Sequence, residues 1–138
     1  MNSLTKTERI IDWTCRLLAA AILLQTLYFK FTGAPESVFI FTTVHMEPWG
    51  RYATGVAELI ASLLLLVCCY AWLGAIIAMG VMSGALMSHL TVLGIVVQND
   101  GGLLFALALT VFICGVVVAY LHRRQIPFVS QFFKSQNS

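Results

Sequence analysis

The sequence of 138 residues is 59% hydrophobic and 10% charged, with a formal net charge of +2 and a mean hydropathy of +0.89. Soluble domains are roughly 45 to 50% apolar and about 25% charged, so this composition indicates a membrane protein. Each crossing needs about 20 residues, and four crossings with short connections use nearly the whole chain. A separate soluble enzyme domain is therefore excluded. The small net charge and scattered basic residues also exclude a nucleic-acid partner.

The first predicted helix covers residues 10–31. Lys6 and Arg9 before an apolar stretch are similar to the start of a signal peptide, but Asp12 and Arg16 interrupt that stretch. We therefore expect a membrane helix here. Arg16 lies near the first interface, and we expect its side chain to extend to the headgroup region.

A short predicted helix at 35–44 follows a glycine and begins at a proline, and it is too short to cross a membrane. We expect it to lie on the membrane surface. Further helices are predicted at 51–70, 72–97 and 103–121, the last after a polar Asn-Asp-Gly-Gly turn. Asp100 in this turn is expected to cap the last helix. The predicted fold is an all-α integral membrane four-helix bundle forming one domain, with a short interfacial helix between the first two spans.

Basic residues predict the orientation of the chain. Only Lys30 and Arg51 lie at the end of the bundle away from the termini. The other basic residues lie at the end that holds both termini, which the positive-inside rule assigns to the cytoplasm. These residues are Lys6, Arg9, Arg16, Arg123, Arg124 and Lys134.

A carboxylate inside an apolar run is costly unless it has a partner or a function, and Glu58 is such a residue. Helical rise puts Glu58 about 10 Å and His89 about 13 Å below the outer surface, with Gln25 at about 9 Å. These depths are similar. The polar face of the second span continues through one stripe, formed by Arg51, Gly55, Glu58 and Ser62.

These positions predict an outward-opening ligand pocket. A histidine and a carboxylate at this depth can pass protons or bind a quinone carbonyl. The pocket would be lined by Gln25, Tyr28, Lys30, Glu58 and His89, with His45 and Glu47 above it. The alternative interpretation is a satisfied hydrogen-bond network that holds three helices together. No compact ligand motif predicts a metal site, and Arg51 is expected to anchor the chain at the interface and to pair with Glu47.

Small residues at close-packing spacing predict tight helix contacts. One row on the second span is Ala53, Ala57 and Ala61, and one on the third span is Gly80, Gly84 and Ser88. The four cysteines fall in the cytoplasmic half without a Cys-x-x-Cys motif, so packing as small apolar residues is expected rather than a disulfide relay. They are Cys15, Cys68, Cys69 and Cys114.

Three motifs in order, YFKFTG at 28–33, TGVAEL at 54–59 before a leucine run, and DGG at 100–102, resemble the DoxX family of small bacterial membrane proteins. The resemblance implies a four-helix bundle in the bacterial inner membrane. Members of that family include a subunit of a thiosulfate:quinone oxidoreductase and membrane partners of oxidative-stress and thiol-handling enzymes. A more distant likeness links the family to vitamin K epoxide reductase, whose paired active-site cysteines this sequence lacks.

The sequence and the resemblance together predict an accessory or anchoring component of a quinone- or thiol-linked membrane redox system, rather than a stand-alone enzyme. Its expected partners are the lipid bilayer, a redox enzyme or a second copy of the chain. Two alternatives remain open. One is a transporter of a small solute or of protons, although the last predicted helix carries no charged residue. The other is a purely structural protein in which Gly80, Gly84 and Ser88 mediate oligomerisation.

Overall fold

The computed structural model describes the backbone of residues 4–67 and 69–136 and the side chains of all of these residues except 128–130, 132 and 133. Within these residues the chain is helical and contains no strand. A π-helical turn, His89–Leu93, continues the fourth helix, and a 3₁₀ turn, Arg123–Gln125, precedes the last one. The α-helices are α1 (Lys6–Thr32), α2 (Pro35–Thr43), α3 (Trp49–Leu65), α4 (Ala71–Ser88), α5 (Leu103–Leu121) and α6 (Pro127–Gln136).

The four long helices pack side by side in a ring. Helix α1 contacts α3 and α5, and α4 contacts the same two helices, so α1 stands diagonally opposite α4. The start of α1 and the end of α5 define the terminal end of the ring, and the opposite end, which carries α2, is the loop end. Helix α2 contacts α1, α3 and the π-helical turn. Small and branched side chains fill the centre, including Ala19, Leu23, Ala61, Leu65, Ala75, Val111 and Val118.

In the described part of the chain, three helical segments are long and apolar enough to cross a membrane: Lys6–Thr32, Ala71–Leu93 and Leu103–Leu121. Helix α3 has 17 residues and is shorter than each of these three segments. The outer surface of the ring carries many exposed large apolar side chains, such as Leu17, Ile60, Leu90 and Ile113. In water such a surface would be unfavourable, whereas in a bilayer it contacts acyl chains.

Three helix ends differ from the sequence-based bounds by four or more residues. Helix α3 ends at Leu65 rather than at 70, and the other two differences have local reasons. Helix α1 begins four residues earlier than predicted because Thr5 and Glu8 form a reciprocal capping box. Its backbone amides are thereby satisfied at the N-terminus. Helix α4 leaves α-helical geometry at His89, where the π-helical turn begins, and Gly94 with a φ of 77° ends the helical segment. No sequence signal had indicated this change.

A buried polar cluster at the terminal end corrects the prediction for Arg16. The Arg16 side chain does not extend outward: its Nε donates to the Leu65 carbonyl, and its Nη1 lies 3.3 Å from Asp12 Oδ2. Asp12 Oδ1 lies 2.9 Å from His122 Nε2, and the guanidinium stacks over Trp13. Asp12 and Arg16 are four residues apart and share the buried face of α1. The cluster therefore ties α1 to the ends of both α3 and α5.

The cysteines occupy different environments. Cys114 is buried in the core, Cys15 packs partly buried against it, and Cys69 is exposed in the turn before α4. The expectation of apolar packing therefore fails for Cys69, because the α3–α4 turn holds it at the surface. Cys68 lies outside the described residues.

Close helix contacts depend on other glycines than those predicted. A Cβ at Gly74 would lie 2.8 Å from the Ala61 carbonyl oxygen, and one at Gly115 would lie 2.8 Å from Met79 Cγ. By contrast, a Cβ at Gly80 or Gly84 would meet nothing within 4 Å. Among the described residues, Gly80 and Gly84 therefore do not mediate a close contact between neighbouring helices.

Two glycine substitutions on α4 test this packing. Gly74→Ala is expected to lower the thermal stability of the purified protein in detergent, because the new methyl overlaps backbone atoms of α3, at a cost of about 1 to 3 kcal/mol. Gly80→Ala is the matched control and is expected to be neutral or to stabilise by up to about 1 kcal/mol, through helix propensity alone. Equal unfolding temperatures for the two variants would contradict the contact between α3 and α4.

Candidate functional site

A cavity of about 540 Å³ lies at the loop end of the ring. Its wall is formed by α1, α2, α3, α4 with the π-helical turn, and the start of α5. Most of the lining is apolar and includes Ile22, Phe41, Met82 and Leu104. The polar lining side chains are Thr26, Lys30, Glu36, Ser37, Thr54, Glu58, Ser88, His89 and Asp100. Binding sites for small molecules typically have this size and this mixture of apolar wall and few polar groups.

An ion pair between Lys30 and Glu58 forms the polar centre of the cavity. Lys30 Nζ donates to Glu58 Oε1, and Thr26 Oγ1 donates to Glu58 Oε2 at 3.2 Å. The Glu58 side chain is 1% exposed and that of Lys30 is 16% exposed. A carboxylate this deeply buried requires such a partner, since isolated burial of a charge is very unfavourable. The ammonium remains partly accessible.

Arg51 fixes the backbone at the C-terminal end of α1, where Lys30 lies. Its Nη1 donates to the Lys30 carbonyl at the C-terminus of α1, and its Nη2 lies 2.8 Å from Glu47 Oε1. A cation at this position also complements the helix dipole. Gly33 adopts a left-handed conformation with a φ of 69°, which lets the chain turn next to the guanidinium. The pairing of Arg51 with Glu47 is present, and the bond from Arg51 to the Lys30 carbonyl joins α3 to the end of α1.

His89 enters the lining from the first residue of the π-helical turn. Its Nδ1 lies 2.9 Å from the Gly94 carbonyl oxygen, and its ring packs edge-on against Phe105 at a centroid distance of 5.6 Å. The imidazole is 5% exposed. π-Helical turns within α-helices are frequent at functional sites because they displace one side chain from the regular ladder.

Asp100 closes the cavity at the start of α5. Its Oδ1 accepts from the amides of Val97 and Gly102, and its Oδ2 accepts from the amide of Leu104 at 3.1 Å. Burial raises the pKa of Asp100, but the hydrogen bonds from these amides oppose this effect, and the pKa lies below its ordinary value. The carboxylate therefore stays charged and acts as the cap of this helix.

The structure brings together only part of the set predicted from the sequence. Lys30, Glu58 and His89 line one cavity, although no direct hydrogen bond joins His89 to Glu58 among the described side chains. Gln25 and Tyr28 are exposed and do not line it, which corrects the face assigned to α1. The apolar face of α1 that packs in the core continues through Thr26 and Lys30, and Gln25 lies about 100° away from Thr26 around the helix.

The loop between α2 and α3 also differs from the prediction. His45 is exposed, and Glu47 bonds to Arg51, so neither lines the cavity. Instead, α2 contributes Glu36 and Ser37, which the sequence had not indicated. The proline at the start of α2 predicts that Glu36 lies in the first turn of this helix, but it does not predict that Glu36 lines a cavity. The burial of Ser37 depends on how α2 packs over the ring. Within the described chain, no group of three or more His, Cys, Asp or Glu could hold a metal ion.

The architecture and the cavity define a helical membrane protein with a small-molecule-sized cavity between its helices. A comparison with protein families matches the DoxX model over residues 12–94, which is more than half of the chain. The protein belongs to the DoxX family. The matched segment contains Lys30, Glu58 and His89 and ends at the glycine that accepts the His89 bond. No curated protein and no solved structure matches the chain.

A double-substitution cycle tests the ion pair. Lys30→Met leaves the buried Glu58 carboxylate without its cation and is expected to destabilise the protein by about 3 kcal/mol. Glu58→Leu is expected to cost less, because the Lys30 side chain is 16% exposed and its ammonium can turn outward. Thermal unfolding in detergent should show that the double variant is more stable than Lys30→Met alone. Strict additivity of the two single effects would contradict a coupled pair, and Glu36→Gln, an exposed acid, serves as the control.

Proposed function

We propose that this protein is a four-helix bundle of the bacterial inner membrane whose cavity binds a lipophilic molecule with a polar headgroup, such as a quinone, and that it acts as an accessory component of a membrane redox system. The observation that carries this proposal is the Lys30–Glu58 pair in the wall of a largely apolar cavity. In this arrangement the ligand tail contacts apolar side chains, and its headgroup meets the ammonium.

Lys30 is the group best suited to hold the headgroup. An ammonium has three N–H donors, and Glu58 accepts one of them. The remaining donors can bind a carbonyl oxygen of the ligand. Glu58 and Thr26 position the ammonium rather than compete with the ligand, because the Glu58 carboxylate is almost fully buried beneath it.

Depth and charge support the orientation. In the proposed arrangement α3 crosses the membrane together with the three longer segments, and α2 lies at the outer surface as a cover for the cavity. The terminal end carries most basic residues, including Lys6, Arg9 and Arg124, which supports a cytoplasmic location for both termini. The cavity then lies in the outer half of the membrane.

The tight packing between Glu58 and the terminal end supports a ligand-binding role rather than transport of a solute through the ring. Leu23, Ala61 and Leu65 are each at most 1% exposed and separate the cavity from the terminal-end cluster. A channel or transporter requires a polar path across this layer. The redox role is supported by family membership, since the DoxX resemblance implies quinone- and thiol-linked partners.

Blocking the cavity tests the proposal. Gly84 lines the cavity and has open space at its Cβ position, whereas Gly80, four residues earlier, has the same open space but does not line it. Gly84→Leu is expected to weaken binding of ubiquinone-1 by at least about tenfold, measured by quenching of intrinsic fluorescence in nanodiscs. Gly80→Leu should bind as the original protein does.

The unfolding temperature of each variant shows whether a loss of binding comes from a blocked cavity or from a destabilised protein. Both leucine variants are expected to retain the original unfolding temperature, because a Cβ at either position meets no atom within 4 Å. Absence of saturable binding by the original protein, both to ubiquinone-1 and to menadione, would contradict the proposed function.

A further inference from the structure

His89 presents a fixed hydrogen-bonding pattern to the cavity. A backbone carbonyl can only accept, so the bond between Nδ1 and the Gly94 oxygen requires the proton on Nδ1. In the neutral imidazole the other nitrogen, Nε2, is then an acceptor. Within the described part of the chain, no side chain or backbone group hydrogen-bonds to Nε2. Phe105 packs edge-on against the ring, with a centroid distance of 5.6 Å.

Lys30 and His89 therefore offer a ligand opposite hydrogen-bonding roles. Lys30 Nζ can only donate, whereas Nε2 of neutral His89 can only accept. Both residues line the same cavity. A quinone carbonyl satisfies Lys30 but offers His89 no proton. A hydroquinone offers a partner to each group, because its hydroxyl oxygens accept and its hydroxyl hydrogens donate.

We infer that the cavity selects the reduced, hydroxyl-bearing form of an amphipathic ring compound, a hydroquinone, through donation of its O–H to His89 Nε2. This inference rests on the proposed function and adds the redox state of the ligand. One additional hydrogen bond is expected to favour the hydroquinone over the quinone by about tenfold in Kd. For a two-electron couple, tenfold preference for the reduced form raises the midpoint potential of the bound ligand by about 30 mV.

The geometry of the π-helical turn supports the selection. A regular α-helix would continue its ladder through this turn, whereas here the segment His89–Leu93 is π-helical and Gly94 supplies the carbonyl that fixes the ring. Asp100 accepts hydrogen bonds from three backbone amides, which hold its carboxylate in the cap of α5.

The test compares three probes under anaerobic conditions: ubiquinol-1, ubiquinone-1 and the dimethyl ether of ubiquinol-1, which has lost both O–H donors. The original protein in nanodiscs is expected to bind ubiquinol-1 about tenfold more tightly than either of the other two. His89→Asn keeps an N–H at the position of Nδ1 for the Gly94 carbonyl and removes Nε2. It should bind all three probes with nearly equal Kd while keeping its unfolding temperature.

Two further variants separate the possible results. His89→Gln places an amide oxygen near the position of Nε2 and should restore part of the preference for ubiquinol-1. His45→Asn, which changes an exposed histidine outside the cavity, should leave the preference unchanged. Equal binding of ubiquinol-1 and its dimethyl ether to the original protein would overturn the inference while the proposed function stands. Failure of all three probes to bind would instead overturn the proposed function.

Discussion

The membrane interior contains no water to solvate an ion, and this constraint determines how the polar side chains of the chain are arranged. Glu58 lies among apolar side chains, and its carboxylate is satisfied by the Lys30 ammonium and the Thr26 hydroxyl. Because these two partners come from α1, the carboxylate of α3 holds those helices together at the loop end. Arg51 extends the same contact to the backbone of α1 and to Glu47. The Lys30–Glu58 pair forms part of the wall of a cavity whose lining is otherwise mostly apolar.

A second polar network closes the opposite end. Asp12 is shared by Arg16 and His122, and Arg16 also binds the last carbonyl of α3. Between the two networks the helices approach through alanine and glycine, as at Gly74 and Ala61. Polar groups at both ends fix the register of the helices, and small residues between them set the spacing. A ligand cavity can therefore remain open at the loop end without loss of the packed centre.

Helical periodicity and the cost of a buried charge were sufficient to find the buried stripe of α3. Arg51, Glu58 and Ser62 are all buried, because a polar stripe in an apolar helix must face its neighbours. The same reasoning chose the wrong face for α1. Gln25 and Lys30 are both polar, and only the tertiary packing of Leu23 against the core decides which side faces inward. Sequence alone does not report that choice.

Other features of the structure are harder to predict from the sequence. Asp12 and Arg16 are correctly spaced for a buried pair, but their position near a helix start also fits exposure at an interface. The π-helical turn at His89 has no characteristic amino-acid composition, because a shift in the backbone hydrogen-bond pattern is enough to create it. The open space beside Gly80 and Gly84 depends on how α4 rotates toward α3 and α5, which a row of small residues does not determine.

The most direct test of this account measures the Lys30–Glu58 contact in a lipid bilayer. Solid-state NMR on protein labelled with ¹⁵N at lysine side chains and ¹³C at glutamate carboxyls can detect the dipolar coupling between the two charged groups, with Lys30→Met to assign the signal. The account predicts a strong coupling that disappears in this variant and persists when Glu36 is replaced by Gln. A spectrum without any coupling between a lysine ammonium and the Glu58 carboxyl would contradict it.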